Sequence, residues 1–440
     1  MTATLEAWID RLAPIAARSM LEAVSPVALV KERPGFGQRI GARRGAIVAS
    51  TVLASWDPDP DYFFHWYRDS AVVVEALRLL HADGRLGDEV LDHVADFVAF
   101  NRALASLDGR ALTAQRAWRD GVTPKFEQYV RDDADLSQVH GEAVAADTRV
   151  NPDGTLDITK WARPQHDGPP LRALALLRWA RHARFAPPVA ENLAALVRAD
   201  LDFTLARWDV PSFDIWEEER GRHYYTLRVS AAALVEGAAW CEAQRDRERA
   251  EACRATAPAI LERLDGYWSD ALGHYRSRVL EDGAASTKDL DIAVILAAIH
   301  AEDASDRHGV ADPRQHATLA RLEALFDADY AINRDRPAGT RPAMGRYRGD
   351  VYFSGGAYWF STFGAAEFCF RAAAACRRDA PAWRARGDGY LETARRFVPP
   401  GGRLAEQFDR TTGEPSSAKS LAWSYAAFLS AVAARRRVSG

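Results

Sequence analysis

Thr226-Leu227-Arg228-Val229-Ser230-Ala231-Ala232-Ala233-Leu234-Val235-Glu236-Gly237-Ala238-Ala239-Trp240-Cys241-Glu242-Ala243-Gln244 repeats its apolar side chains at i, i+3, i+4 and i+7, the signature of one face of an α-helix. The same spacing runs through 71–81, 89–105, 171–183, 189–207, 247–268, 287–301, 316–326, 356–376, 382–397 and 418–433, with another helix near the N-terminus. About a dozen helices follow, each near the usual ~11–12 residues or longer, so the fold class is all-α. A solenoid would show a fixed sequence period and polar end caps; neither is present, and a closed toroid of paired helices fits better. With 440 residues and 48% apolar content the chain can bury a large core. No low-complexity linker divides it, so residues 1–440 read as a single domain with no separate β-sandwich or accessory domain.

Composition excludes several functions. The net charge is −4, and the basic residues are scattered without the run a nucleic-acid partner would call for. No stretch approaches the ~20 apolar residues of a membrane span. Glu6, Asp10, Arg11 and Arg18 interrupt the first twenty residues at helical spacing, which removes the apolar region of a signal peptide and points to a cytoplasmic protein. Cys241, Cys253, Cys369 and Cys376 lie in Ala-rich helical contexts and read as small core residues in a reducing compartment. The eleven histidines show no ligand spacing such as His-Glu-x-x-His, so neither a metal nor a cofactor is expected. Thirteen tryptophans exceed what a core needs, and indole faces suit stacking on sugar C–H surfaces. Trp66, Trp161, Trp216 and Trp423 stand out because each lies within a few residues of an acidic or Arg-containing motif.

Just before Thr226 comes a polar loop, 210–222, carrying Phe213-Asp214-Ile215-Trp216-Glu217-Glu218-Glu219. Three successive glutamates repel one another and raise at least one pKa, the condition a general acid needs near neutral pH. The structural alternative is an acidic first helical turn favoured by the helix dipole. Far along the chain, loop 399–415 holds Ala405-Glu406-Gln407-Phe408-Asp409. A glycosidase requires two carboxyl groups, one protonated to release the leaving oxygen and one ionised on the opposite face. Glu217 and Glu406 are the candidates.

The remaining long loops carry their own motifs, as functional loops do. In Pro60-Asp61-Tyr62-Phe63-Phe64-His65-Trp66-Tyr67-Arg68-Asp69-Ser70, Arg68 and Asp69 either clamp vicinal hydroxyls or Asp69 caps the following helix. In Trp161-Ala162-Arg163-Pro164-Gln165-His166-Asp167-Gly168-Pro169, the structural reading is a helix start with Asp167 capping and Pro169 in the first turn. Met344-Gly345-Arg346-Tyr347-Arg348-Gly349-Asp350-Val351-Tyr352 supplies further donors.

In order and spacing these motifs, with Ala233-Leu234-Val235-Glu236-Gly237 and Trp423-Ser424-Tyr425-Ala426, resemble the glucoamylase family, glycoside hydrolase family 15, over roughly residues 45 to 435. The resemblance implies an (α/α)6 barrel whose loops form a pocket at one end. It implies Glu217 as general acid and Glu406 as the base that activates water for inversion. Tyr62, Arg68, Asp69 and Trp216 would hold the non-reducing glucose, while Arg346, Glu218 and Trp161 reach it or the next sugar. Asp214 would tune the acid, and Trp423 would line the pocket. The implied reaction is exo-acting release of β-glucose from α-glucans or oligosaccharides, α-1,4 favoured over α-1,6, with trehalose also compatible. A sugar phosphorylase, with phosphate in place of Glu406, and a non-catalytic sugar-binding protein are the other classes.

The sequence departs from the family pattern in places. Eight residues after Asp350 stands Tyr358, with Trp359 beside it, so either ring could face the leaving sugar. His166 stands where the family has Arg or Asn, and the Gly141-Glu142-Ala143 to Pro152-Asp153-Gly154 segment matches loosely. These changes are expected to fall around the leaving sugar.

Overall fold

The computed structural model describes residues 4–303 and 307–438. Among these the helices are α1 (Leu5–Leu21), α2 (Tyr67–Ala82), α3 (Glu89–Leu104), the short α4 (Gly109–Gln115) and α5 (Asp133–Ser137), α6 (Gly168–His182) and α7 (Pro187–Arg207). The second half contributes α8 (Tyr224–Ala243), α9 (Arg247–Asp265), α10 (Ala293–His300), α11 (Pro313–Asp329), α12 (Trp359–Ala375), α13 (Ala380–Phe397) and α14 (Ala422–Arg437). Helices α2, α6, α8, α10, α12 and α14 each pack on the next, and α14 returns to α2, closing an inner ring of six. Outside it, α3, α7, α9, α11 and α13 each pack on the inner helix that precedes them, and α1 packs on α14. The fold is an (α/α)6 barrel.

The sequence explains which helix goes where. Along α12 every residue from Trp359 through Phe370 is buried, as expected of a helix that is apolar on all sides and enclosed on all sides. The outer α13 buries one face, in which Trp383, Gly387, Tyr390, Leu391 and Ala394 follow helical spacing and Gly389 and Thr393 flank them. Close approach inside the ring needs a missing side chain at Gly364, where a Cβ would stand 2.5 Å from the Leu296 side chain.

The helix starts are set by partners far away in the chain. Periodicity expects a helix from residue 287, yet α10 begins at Ala293, because the Asp291 side chain accepts from the Ala293 amide at 2.8 Å. The pattern at 356–376 begins with a strand, Ala357–Tyr358, paired with Gln407–Phe408, before α12 starts. Likewise the apolar run at 247–268 ends as helix at Asp265, and Trp268–Ser269 turn into a hairpin with His274–Tyr275.

All six inner helices start at one end of the barrel, and the loops that lead into them bond to one another in a circle. Tyr67 N–H donates to Thr148 O (3.3 Å), Phe213 N–H to Pro164 O (2.9 Å) and Tyr224 N–H to Ser277 O (2.8 Å). Ile292 N–H donates to Arg346 O (2.9 Å), Trp359 N–H to Glu406 O (3.2 Å) and Ala422 N–H to Ala49 O (2.9 Å). Amides at helix starts lack intrahelical partners. Here five such amides, together with that of the strand residue Phe213, join each loop to the neighbouring one, which gathers motifs scattered over the sequence onto one rim.

Candidate active site

Glu217 lies at the apex of the turn between Ser212–Phe213 and Arg220–His223, two strands paired with each other. Its φ is +66°, the left-handed region, which costs a non-glycine residue about 1–3 kcal/mol unless its surroundings hold it there. Asp214 does the holding. Its carbonyl accepts from Glu217 N–H (2.9 Å), and its carboxylate Oδ1 accepts from the amides of Glu218 (2.8 Å) and Glu219 (2.9 Å). Buried Arg278, 3.2 Å away, keeps the Asp214 carboxyl below the ordinary carboxylate range against the opposing effect of burial.

The turn sends its three glutamates to separate partners. Glu217 Oε1 accepts from Trp66 Nε1 (2.8 Å) and Arg68 Nη2 (3.2 Å), and Oε2 accepts from Trp161 Nε1. Glu218 is held by Arg346 (3.0 Å), Lys288 (2.6 Å) and the Tyr347 hydroxyl (2.5 Å), whereas Glu219 is held by Arg278 (2.9 Å) and Ser286 (2.7 Å). The expected mutual repulsion is therefore absent as a governing effect, because each carboxylate meets its own donors. An acidic first helical turn is also ruled out, since α8 starts only at Tyr224.

Glu406 sits beside the strand Gln407–Phe408, its amide bonded to Ala418 O (2.7 Å) and its carbonyl taken by Trp359 N–H. Ser417 Oγ donates to its Oε2, and the Tyr62 hydroxyl lies 3.5 Å from Oε1. Burial pushes this carboxyl up to about 7, opposed by the Ser417 bond and by Arg346.

Both glutamates open into one pocket of about 250 Å³. Tyr62, Trp66, Arg68, Asp69, Trp161, Trp216, Glu218, Arg346 and Trp423 line it with them. Arg68 lies among three carboxylates, Asp69 (3.3 Å), Asp167 (3.3 Å) and Glu217 (3.2 Å). Asp69 does not cap α2, which begins at Tyr67. Its Oδ2 is buried without a hydrogen-bond donor, and burial raises the carboxyl to about 6, so the group is set to accept a ligand hydroxyl. Asp167 likewise makes no cap bond with its side chain. Across the pocket Arg346 forms a fork with Asp350, 2.6 Å from Nε and 2.6 Å from Nη2, with the Trp216, Tyr352 and Tyr358 rings around it.

Phe360 stacks on Trp423 (4.4 Å, 13°) and Trp216 (5.8 Å, 20°), forming an aromatic floor. Trp216 is fixed from below by its Nε1–H bond to Asp291 (2.8 Å). Beneath the floor, Phe360 and Trp423 also border a second cavity among Glu75, Arg178, Glu367 and Arg371. These two rings therefore lie between the upper pocket and the cavity below it.

Some residues named from sequence lie elsewhere. Asp214 is buried beneath the pocket and shapes the turn instead of lining the cavity. Neither Tyr358 nor Trp359 faces the cavity: Tyr358 donates to Asp350 (2.9 Å), and Trp359 packs against Phe408 at 4.3 Å. His166 is buried edge-on to Phe203 (5.5 Å), its pKa lowered to about 4 by burial. Arg163, three residues earlier in the motif, binds Asp147 (2.6 Å) and Asp157 (2.7 Å). Sequence reasoning missed Tyr352, which lines the pocket and pairs its hydroxyl with Tyr62 at 2.8 Å, and also Phe360, Lys288 and Ser417. Tyr352 closes the quoted motif 344–352, but nothing local marks its ring as facing Tyr62 in the motif 60–70.

The profile of the family described as Glycosyl hydrolases family 15 matches residues 37–386 and 378–433. Glucoamylase of Neurospora crassa is 29% identical over 90% of this chain and 64% of its own length. Glucoamylase-1 of Arthroderma benhamiae is 28% identical over 90% of this chain and 65% of its own. The chain thus spans just under two thirds of the length of these relatives. Among solved structures, the family 15 glucoamylase from Hypocrea jecorina superposes with a TM-score of 0.80 at 25% identity, covering 99% of this chain and 73% of that one.

Proposed function

The chain belongs to glycosyl hydrolase family 15, and from that premise we propose that it is an inverting, exo-acting α-glucosidase releasing β-glucose from the non-reducing ends of α-glucans or oligosaccharides. The observation that carries the reading is one pocket that joins two carboxyl groups, Glu217 and Glu406, above a floor of stacked rings. A pocket closed below accepts only a chain end, so single glucose units leave. α-1,4-linked oligosaccharides are the favoured substrates, with α-1,6-linked ones next.

In the reaction Glu217 gives its proton to the glycosidic oxygen while Glu406 takes a proton from a water that attacks the anomeric carbon from the opposite face. The C–O bond to the leaving sugar breaks as the new C–O bond to water forms, and the anomeric configuration inverts. A carboxylate offers about four lone-pair sites. Trp66, Arg68 and Trp161 use three on Glu217, leaving one on Oε2 for the transferred proton. Glu406 is oriented by Ser417 and Tyr62. Asp69 accepts sugar hydroxyls, and Arg346 donates from the opposite wall.

Incubation with maltotriose, isomaltotriose and trehalose, followed by chromatography of the earliest products, tests the reading. Glucose with the shortened chain is expected from maltotriose. Internal cleavage of longer chains would contradict exo action.

A further inference from the structure

Four aromatic rings run from the pocket toward solvent. Tyr62 lies 5.1 Å from Trp66, Trp66 6.3 Å from Trp161, and Trp161 5.8 Å from Trp56. Exposure ends high along this track: Trp66 is 3% exposed, Trp161 is half-buried and Trp56 is 47% exposed. Trp161 is the ring whose N–H meets the outer oxygen of Glu217. A leaving sugar begins where Glu217 delivers its proton, so the next groups outward along a bound chain are Trp161 and then Trp56.

The strap carrying Trp56 is anchored on both sides. Buried Lys31 donates to Leu53 O (3.2 Å), Ala54 O and Ser55 Oγ (3.2 Å), immediately before Trp56. Lys419 Nζ binds Asp59 (2.8 Å), just after it. A compact ammonium reaches several oxygens at once, which a planar guanidinium does less readily. The chain has only five lysines, and two of them fix this strap. Trp56 itself has a φ of +75°, so the strap holds a bulky side chain in a conformation it rarely adopts. The result is a large indole left open to water beside Trp161, where core packing gives no reason for it.

Taking the α-glucan reading above as its basis, we propose that Trp56 is a stacking platform for the leaving portion of the substrate, contacting glucose units beyond the first leaving sugar. Its flat face takes sugar C–H surfaces, and its place outside the pocket makes it matter for longer chains and not for disaccharides.

The test compares wild type, Trp56→Ala and Trp56→Phe on maltooligosaccharides from maltose to maltoheptaose and on the matching isomaltooligosaccharides. Trp56→Ala is expected to lower kcat/KM about fivefold on maltoheptaose and less than twofold on maltose, the size of a single aromatic contact, with Trp56→Phe keeping most of the wild-type value. An equal loss at every chain length, or no loss at any, overturns the proposal. Calorimetric titration with maltoheptaose in a Glu217→Gln background separates this from the parent reading. If wild type releases no glucose from any substrate, the hydrolase reading fails, and the titration still decides the platform: weaker binding on losing Trp56 supports it, and equal or absent binding overturns it.

Discussion

The proposed reaction gives the two carboxyl groups, Glu217 and Glu406, different work. Glu217→Gln removes the proton donor and is expected to abolish turnover to the limit of detection. Glu406→Gln, which can still hold a water but cannot take its proton, should lose about 10²–10⁴-fold in kcat. Initial-rate kinetics on maltotriose check both. Glu406 works as a base only when ionised, and burial raises its carboxyl to about 7. Ionisation is lost as pH falls through that value, so kcat/KM should fall on the acid side near pH 7, well above the ordinary carboxylate range. Ser417 favours the ionised form by donating to Oε2. Ser417→Ala is therefore expected to move this limb upward by about one pH unit, the size of one hydrogen bond to a charged group. A limb that stays in place would contradict the assignment of Ser417. Glu217, Glu406 and most of the pocket residues were legible because each lies in a polar loop beside an aromatic residue. Ser417 and Lys288 were not, since a serine or lysine in a loop carries no mark of the carboxylate it will meet.

At the scale of elements, the turn from Asp214 to Glu219 ties local backbone geometry to chemistry. The family resemblance implies that Asp214 tunes the acid electrostatically. In the fold it accepts two backbone amides and holds Glu217 at positive φ. Asp214→Ala should cost about 0.5–2 kcal/mol of stability, as loss of a cap does, and about 10²-fold in kcat from displacement of Glu217. Denaturant titration and kinetics on one preparation check both numbers; full activity would show that the turn holds without Asp214. The helices themselves were readable from their 3.6-residue period, but their starts were not. Where the helical pattern gives way to Ala357–Tyr358, the residues pair with a strand some fifty positions later, and no local signal reports it. Tyr358 in that pairing and Trp359 beside it bond and pack elsewhere, and neither ring lines the cavity.

Across the whole molecule, chain order and spatial order coincide except at one seam, where α1 from the N-terminus packs on α14 from the C-terminus. Trp8 meets Phe428 edge-on at 5.6 Å, and Glu6 binds Arg435 at 2.6 Å. Trp8→Ala is expected to cost about 3 kcal/mol, as deletion of a buried aromatic does, while kcat/KM stays within twofold because the seam lies outside the pocket. Urea unfolding beside an activity assay tests this. The toroid was foreseeable from a dozen helices without a repeat period. The Tyr62–Tyr352 contact was not, because it depends on the loop ring closing around the pocket rim. In the proposed reaction Glu217 and Glu406 act from opposite faces of one bound glucose. Proton NMR of the glucose released in the first moments of maltotriose hydrolysis tests it directly, before mutarotation mixes the anomers. β-Glucose is the predicted first product, and α-glucose as the first product would contradict the inverting assignment of the two glutamates.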